Sequence, residues 1–134
     1  AELAGRVGGI ELRGSMPVAD HRQAIVDSAL FVTVSGYSSM LAGLQSRVPT
    51  VVVPAQIQTN GVQQDVIDRS QRYHNQGLVT QITLEELADS RRVSERISFR
   101  ATAGPAPLDS IPSMDGARHL ANSIALDLEK MHLP

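Results

Sequence analysis

Two polar stretches hold the side chains of this sequence that could do chemistry. The first is Ser35-Gly36-Tyr37-Ser38-Ser39, set between a β-branched run and an amphipathic one. Gly36 lets a ligand approach the backbone closely, and Ser38 and Ser39 offer hydroxyls where helical amides would point outward at the positive end of the helix dipole. An anion, above all a phosphate, suits such a place. The same residues also read as an ordinary strand-to-helix turn in which one serine caps the helix. The second stretch is Gln56-Ile57-Gln58-Thr59-Asn60-Gly61-Val62-Gln63-Gln64. Its amides are neutral and can both donate and accept, which fits the hydroxyls of a sugar. Taken alone it reads as a solvated loop with Thr59 or Asn60 capping the next helix.

Other chemistries find little footing. The chain has no cysteine, which removes disulfides and thiolate metal sites. His21, His74, His119 and His132 lack the spacing of metal ligands and read as surface or cap histidines, so no metal site and no catalytic histidine are assigned. Glu86 pairs with Thr83 in the S/T-x-x-E form of a capping box, and Asp127 and Glu129 fit a solvated helix face. A pair of catalytic carboxylates therefore has no support. A net charge of −2 without a run of Lys or Arg argues against a nucleic-acid partner. No apolar stretch approaches the ~18 residues of a membrane span and none resembles a signal segment, so no membrane insertion and a cytoplasmic location are expected.

The elements that must position the two polar stretches are legible in the hydrophobic pattern. At 134 residues with 42% hydrophobic and 3% aromatic side chains, the chain supports one core built from Val, Ile, Leu and Ala. Residues 7–13 read as a strand and residues 17–28 as a helix, followed by a strand over 29–35 and a helix over 37–46. Residues 49–54, PTVVVP, form a β-branched segment bracketed by prolines, as expected of a buried strand in the middle of a parallel sheet. A third helix spans 61–75 and stops before Gly77. A strand over 78–82 precedes a helix that starts at Leu84 and runs toward Ile97. Residues 98–112 contain Gly104, Pro105, Pro107 and Pro112 and form an irregular connector. The last helix, 113–131, has Ser113 as N-cap and Leu120, Ile124 and Leu128 on one face. This alternation predicts an α/β class, a Rossmann-like parallel sheet with helices on both faces, in one domain over residues 1–134. Ligands of such sheets lie outside the carboxyl ends of the strands, where both polar stretches fall.

The order of these parts resembles the carboxyl-terminal, donor-binding domain of GT-B glycosyltransferases. The likeness is closest to the lineage containing the lipid-linked UDP-N-acetylglucosamine transferase of peptidoglycan synthesis. It rests on Gly36 and Ser39 after the first buried strand, on Pro49 to Pro54 as the second, and on the paired Gln63 and Gln64. It extends from about Ile10 to Ile97. Two positions depart from the family pattern: Ala42 stands where the family carries a ribose-gripping Glu, and Arg47 where it carries the Gly of Gly-x-Pro. Loss of that carboxylate removes a charge-assisted bond of roughly 1.5–3 kcal/mol. Asp65 and Gln58 are possible substitutes on the ribose. Arg47 reads either as a phosphate contact or as an exposed helix-end cation.

The resemblance implies half of a GT-B fold, with a nucleotide diphosphate sugar, UDP-linked, as donor substrate and no further cofactor. Ser35, Gly36, Tyr37, Ser38 and Ser39 would hold the diphosphate, Gln58, Gln63 and Gln64 would orient the sugar, and Val18, after Met16 and Pro17, would line the nucleobase. Helix dipole and amides would take the place of a metal cation. The acceptor would sit on an amino-terminal domain supplied in cis or as a separate subunit. A GT-B-fold hydrolase or epimerase of nucleotide sugars is one alternative, since the residues that decide the chemistry would lie on the other domain; a non-catalytic interaction module with a decayed site, for which Ala42 speaks, is the other.

Overall fold

A computed structural model of the chain describes residues 5–7, 10–34, 37–53, 64–113 and 115–131. Its centre is a parallel sheet of three strands, β3 (Phe31–Val34), β4 (Thr50–Val53) and β5 (Thr80–Gln81), in the order β3-β4-β5. Every residue of β4 is buried, as the expectation of a middle strand requires. In the register, Phe31 stands beside Thr50, Val34 beside Val53, and Val51 beside Thr80. All three strands point the same way, so each returns through a helix.

One face of the sheet lies under α2 (Tyr37–Gln45) and α3 (Gln64–Asn75). Met40, Leu41 and Leu44 of α2 pack there with Val52, Leu78, Val79 and Ala106. The approach is close because residue 43 is glycine: a Cβ at that position would fall onto the Thr50 hydroxyl and the Phe31 ring. The helix α1 (Val18–Val26) packs beside α2 on the same face, with His21 edge-on to Phe31 at a centroid distance of 6.4 Å. The other face is covered by α5 (Ser90–Ala103), whose Val93 and Ile97 pack against Val51, Val53 and Ile82. Helices therefore occupy both faces, as the α/β reading requires.

The helices that lead into β4 and β5 end in the same turn. At the end of α2, the Val48 N–H reaches the Gly43 carbonyl at 3.1 Å and the Arg47 N–H reaches Leu44 at 3.0 Å. At the end of α3, Leu78 reaches Tyr73 at 3.0 Å and Gly77 reaches His74 at 2.9 Å. These paired bonds are the Schellman pattern, which places its penultimate residue in the left-handed region. Gly77 sits there at φ 73° without strain, while Arg47 is held there at φ 55°.

Four elements differ from their sequence expectation. Residues 7–13 do not form one strand of the parallel sheet; they fall within an antiparallel hairpin of β1 (Gly5–Val7) and β2 (Ile10–Leu12), with Val7 opposite Ile10. The helix from Leu84 stops after one turn as α4 (Leu84–Leu87), because Asp89 caps α5 anew by accepting from the Arg91 and Arg92 N–H groups at 3.0 and 3.3 Å. That helix then continues to Ala103, so the irregular connector starts at Gly104 rather than at residue 98, and it includes a short 3-10 turn over Leu108–Ser110. Finally, α6 (Gly116–Met131) begins three residues beyond Ser113, whose hydroxyl accepts from the Asp115 N–H at 3.2 Å instead of capping the helix. Leu120 and Ile124 remain exposed on α6.

Candidate functional site

The carboxyl edge of the sheet is where the candidate residues gather. Because β3 and β4 are parallel and Val34 is level with Val53, the chain leaves both strands side by side at this edge. From β3 it enters α2 at Tyr37, and after β4 it enters α3 at Gln64. Two helix amino-termini thus follow neighbouring strands, the arrangement that collects anionic ligands in open α/β sheets. Ser38 and Ser39 occupy the first turn of α2, Ser38 exposed and Ser39 half-buried. Neither hydroxyl bonds another group among the described residues.

Gln64 is exposed at the start of α3 and spends one amide N–H on Asp68 of the same helix at 2.7 Å. Val18 opens α1 with 73% of its surface exposed, behind Pro17, which makes no side-chain cap. Ser35, Gly36, Gln58 and Gln63 lie outside the described residues, as do the side chains of Tyr37 and Asp65. Arg47, in contrast, ends α2 at the opposite, amino-terminal edge of the strands, which removes it as a phosphate contact and leaves the helix-end cation.

A third helix start lies at the same edge and is already occupied. Thr83 caps α4 by accepting from the Glu86 N–H at 3.2 Å, and the Glu86 carboxylate returns the bond to the Thr83 N–H at 3.0 Å. The same carboxylate receives both Nε and an Nη of Arg96 at 3.0 and 2.7 Å. The backbone bond from Thr83, reinforced by Arg96, holds the Glu86 pKa below the ordinary carboxylate value. Its role is structural: it ties α4 to α5. The open groove beside it, lined by Glu86, Arg92, Glu95, Arg96 and Phe99, carries balanced charge. Arg92 pairs with Asp89, and Arg91 with Glu95. Among the described residues no cation there is left over for an anionic ligand.

Sequence reading missed one buried ionisable residue. Arg100 of α5 is 4% exposed, donating from Nε to the Thr80 hydroxyl at 2.9 Å and from Nη2 to the Gly77 carbonyl at 3.2 Å. Burial pushes its pKa down, although two neutral acceptors hold it in place. The signal was present: Arg100 follows Val93 and Ile97 at helical spacing, where an apolar residue is expected. On the other face, the buried Gln81 donates to the Ser70 hydroxyl at 2.7 Å, and Ser70 donates onward to Ile67 at 2.9 Å.

Among the described residues no group of three or more His, Asp or Glu could hold a metal ion, and no helix is long and apolar enough to cross a membrane. The chain matches no protein-family model, no curated protein and no solved structure.

Proposed function

We propose that this domain binds the nucleotide diphosphate of a sugar donor at the carboxyl edge of β3 and β4, as the donor half of a glycosyltransferase. The observation that carries the reading is the level pair Val34 and Val53, from which neighbouring parallel strands hand over to two helix starts. The first turn of α2 would offer the hydroxyls of Ser38 and Ser39 and its amides to a diphosphate. These donors would stabilise negative charge on the departing nucleotide as the glycosidic C–O bond breaks. The amide pair Gln63 and Gln64 would hold the sugar hydroxyls, with Val18 against the base. The acceptor and the general base would come from a second domain, in the same chain or in a partner.

The test is a titration of the domain with UDP, and with other nucleoside diphosphates in parallel, followed by amide shifts in an NMR spectrum. Saturable shifts confined to residues 35–39 and 63–64, weakened about tenfold by Ser39→Ala, are expected; the tenfold corresponds to about 1.4 kcal/mol, one charge-assisted hydrogen bond. Shifts absent at millimolar nucleotide would overturn the proposal. That outcome would favour the interaction-module reading, for which Ala42 in the second turn of α2 is the supporting residue.

A further inference from the structure

His74, in the last turn of α3, is half-buried against the strand that follows that helix. On β5 the Ile82 N–H bonds inward to the Val52 carbonyl at 2.9 Å, so by alternation the Gln81 N–H and the Val79 carbonyl both face the outer edge of the sheet. One imidazole nitrogen meets the two of them. The Gln81 N–H donates to His74 Nδ1 at 3.4 Å, and the Val79 carbonyl lies 3.4 Å from the same atom. A ring nitrogen serves only one at a time: without a proton it accepts from Gln81, and with one it donates to Val79. The neighbouring ties between α3 and β5 do not titrate in the same range. They are the Gln81 side-chain amide on the Ser70 hydroxyl and the Leu78 N–H on the Tyr73 carbonyl.

No ion pair fixes the ring in one state. Neither α2, which packs beside α3, nor β5 carries a charged residue. The helix α5 brings Arg100 to the far side of β5, where the Thr80 hydroxyl and the Gly77 carbonyl hold its guanidinium. The connector after α5 joins the core beside Tyr73 through Ala106 and Ile111, and it carries Asp109, which is exposed. On α3 itself stand Asp65, Asp68, Arg69 and Arg72, of which Asp68 holds Gln64. Among the described residues, therefore, the imidazole bonds backbone groups and no carboxylate. The Gln81 N–H can donate only to an unprotonated Nδ1, and the Val79 carbonyl can accept only from a protonated one. Histidine is the side chain that ordinarily changes charge between about pH 5 and 8, so the choice between these two partners falls in that range.

We infer that His74 is a pH-sensitive latch on the outer edge of β5. Neutral, with its proton on Nε2, the ring holds the Gln81 N–H. Protonated, the same Nδ1 becomes a donor, takes the Val79 carbonyl and releases the Gln81 N–H. The end of α3 stays tied to β5 in both states, and what changes is whether the edge of the sheet presents a held N–H or a free one.

The test follows the 134-residue protein by NMR from about pH 8 to pH 5. At the alkaline end the imidazole nitrogens of His74 should report a proton on Nε2 and none on Nδ1. The Gln81 amide should titrate with the His74 midpoint. Its protection against hydrogen exchange, corrected for the intrinsic pH dependence, should fall about fivefold as the ring charges, the worth of one net hydrogen bond. In His74→Asn, whose Oδ1 replaces Nδ1 as an acceptor and does not titrate, that pH-dependent loss should vanish. A proton on Nδ1 at the alkaline end overturns the inference. So does a Gln81 amide that ignores the His74 midpoint, or one that follows His21, His119 or His132 instead. Persistence of the pH dependence in His74→Asn would assign it to another group and overturn the inference equally.

Discussion

The sheet has one sealed face and one partly open face, although the same three strands make both. Under α2 and α3, Leu44, Val52, Leu78 and Val79 are buried almost completely. Across the sheet, α5 covers β4 and β5 through Val93 and Ile97, while Val32 and Val34 of β3 stay exposed. Strand composition does not explain this, since Thr33, Thr50 and Gln81 point to the sealed side and Val32 and Val34 to the open one. Dimensions do. A helix about 10 Å wide spans two strands at about 4.8 Å spacing, so one long helix cannot cover three. The sealed face has two helices directly over it and α1 beside them, whereas the open face has α5 with the one-turn α4 at its edge. Among the described residues, therefore, nothing covers Val32 and Val34, whereas the sealed face is closed.

The largest effect expected from breaking this asymmetry is at Leu44, 1% exposed at the centre of the sealed face. Leu44→Ala should cost about 3 kcal/mol, measured as a lower urea midpoint at unchanged slope. A loss below about 1 kcal/mol would mean that α2 is not seated as described. Ser70→Ala probes the polar part of the same face. It removes the acceptor of the buried Gln81 amide and should cost about 1–2 kcal/mol, because an orphaned donor loses solvation without compensation. Changing Gln81 to Leu together with Ser70 to Ala should recover part of that loss, and failure to recover any would assign the cost to shape rather than to the hydrogen bond.

The sealed face was also the more legible in sequence, for reasons visible at particular residues. The β4 segment has proline at both ends and valine between, and Met40, Leu41 and Leu44 repeat at helical spacing, so strand and helix announce themselves without tertiary information. Gly77 marked the end of α3, because only glycine is at ease in the left-handed position of a Schellman turn. The equivalent position after α2 is Arg47, which gave no such signal, and the identical turn there emerges only from the hydrogen bonds. The break at Asp89 was missed since Leu84 to Ile97 carries enough apolar residues for one continuous helix. The hairpin was missed because residues 7–13 were read as one strand, although a Gly-Gly pair, a frequent hairpin signal, divides their apolar residues. For the candidate site, sequence located the residues at the carboxyl edge through Gly36 and the serines. What those residues hold depends on a ligand that no spacing of serines and amides specifies.

Arg47 offers a way to sharpen the comparison without touching the core. Arg47→Gly relieves the left-handed cost, about 1–2 kcal/mol, and gives back about 0.4–1 kcal/mol in unfolded-chain entropy. A net gain of about 0.5–1 kcal/mol in denaturant unfolding is expected. Because the side chain is exposed and lies at the edge opposite the candidate site, nucleotide titration should give the same shifts in the variant as in the parent. A net loss of stability would show that the arginine makes a contact that outweighs its backbone strain.

The smallest effect belongs to the open face, and its smallness is informative. Val34→Thr is nearly isosteric, keeps the β-branch that the strand prefers, and adds a hydroxyl to a side chain already 64% exposed. Within the isolated chain the change should stay inside about 0.5 kcal/mol, since water hydrates the new hydroxyl at no burial cost. The same substitution at Val52, 1% exposed on the sealed face, buries a hydroxyl and should cost about 1–3 kcal/mol. Measured together, the two threonines compare the faces with one chemical change. If Val34→Thr costs as much as Val52→Thr, the open face is covered in solution, and the stability of the chain should then depend on protein concentration. A small cost at Val34 beside a large one at Val52 would instead show that Val34 is solvated in solution as it is among the described residues, since only a neighbour that buries Val34 makes its hydroxyl expensive.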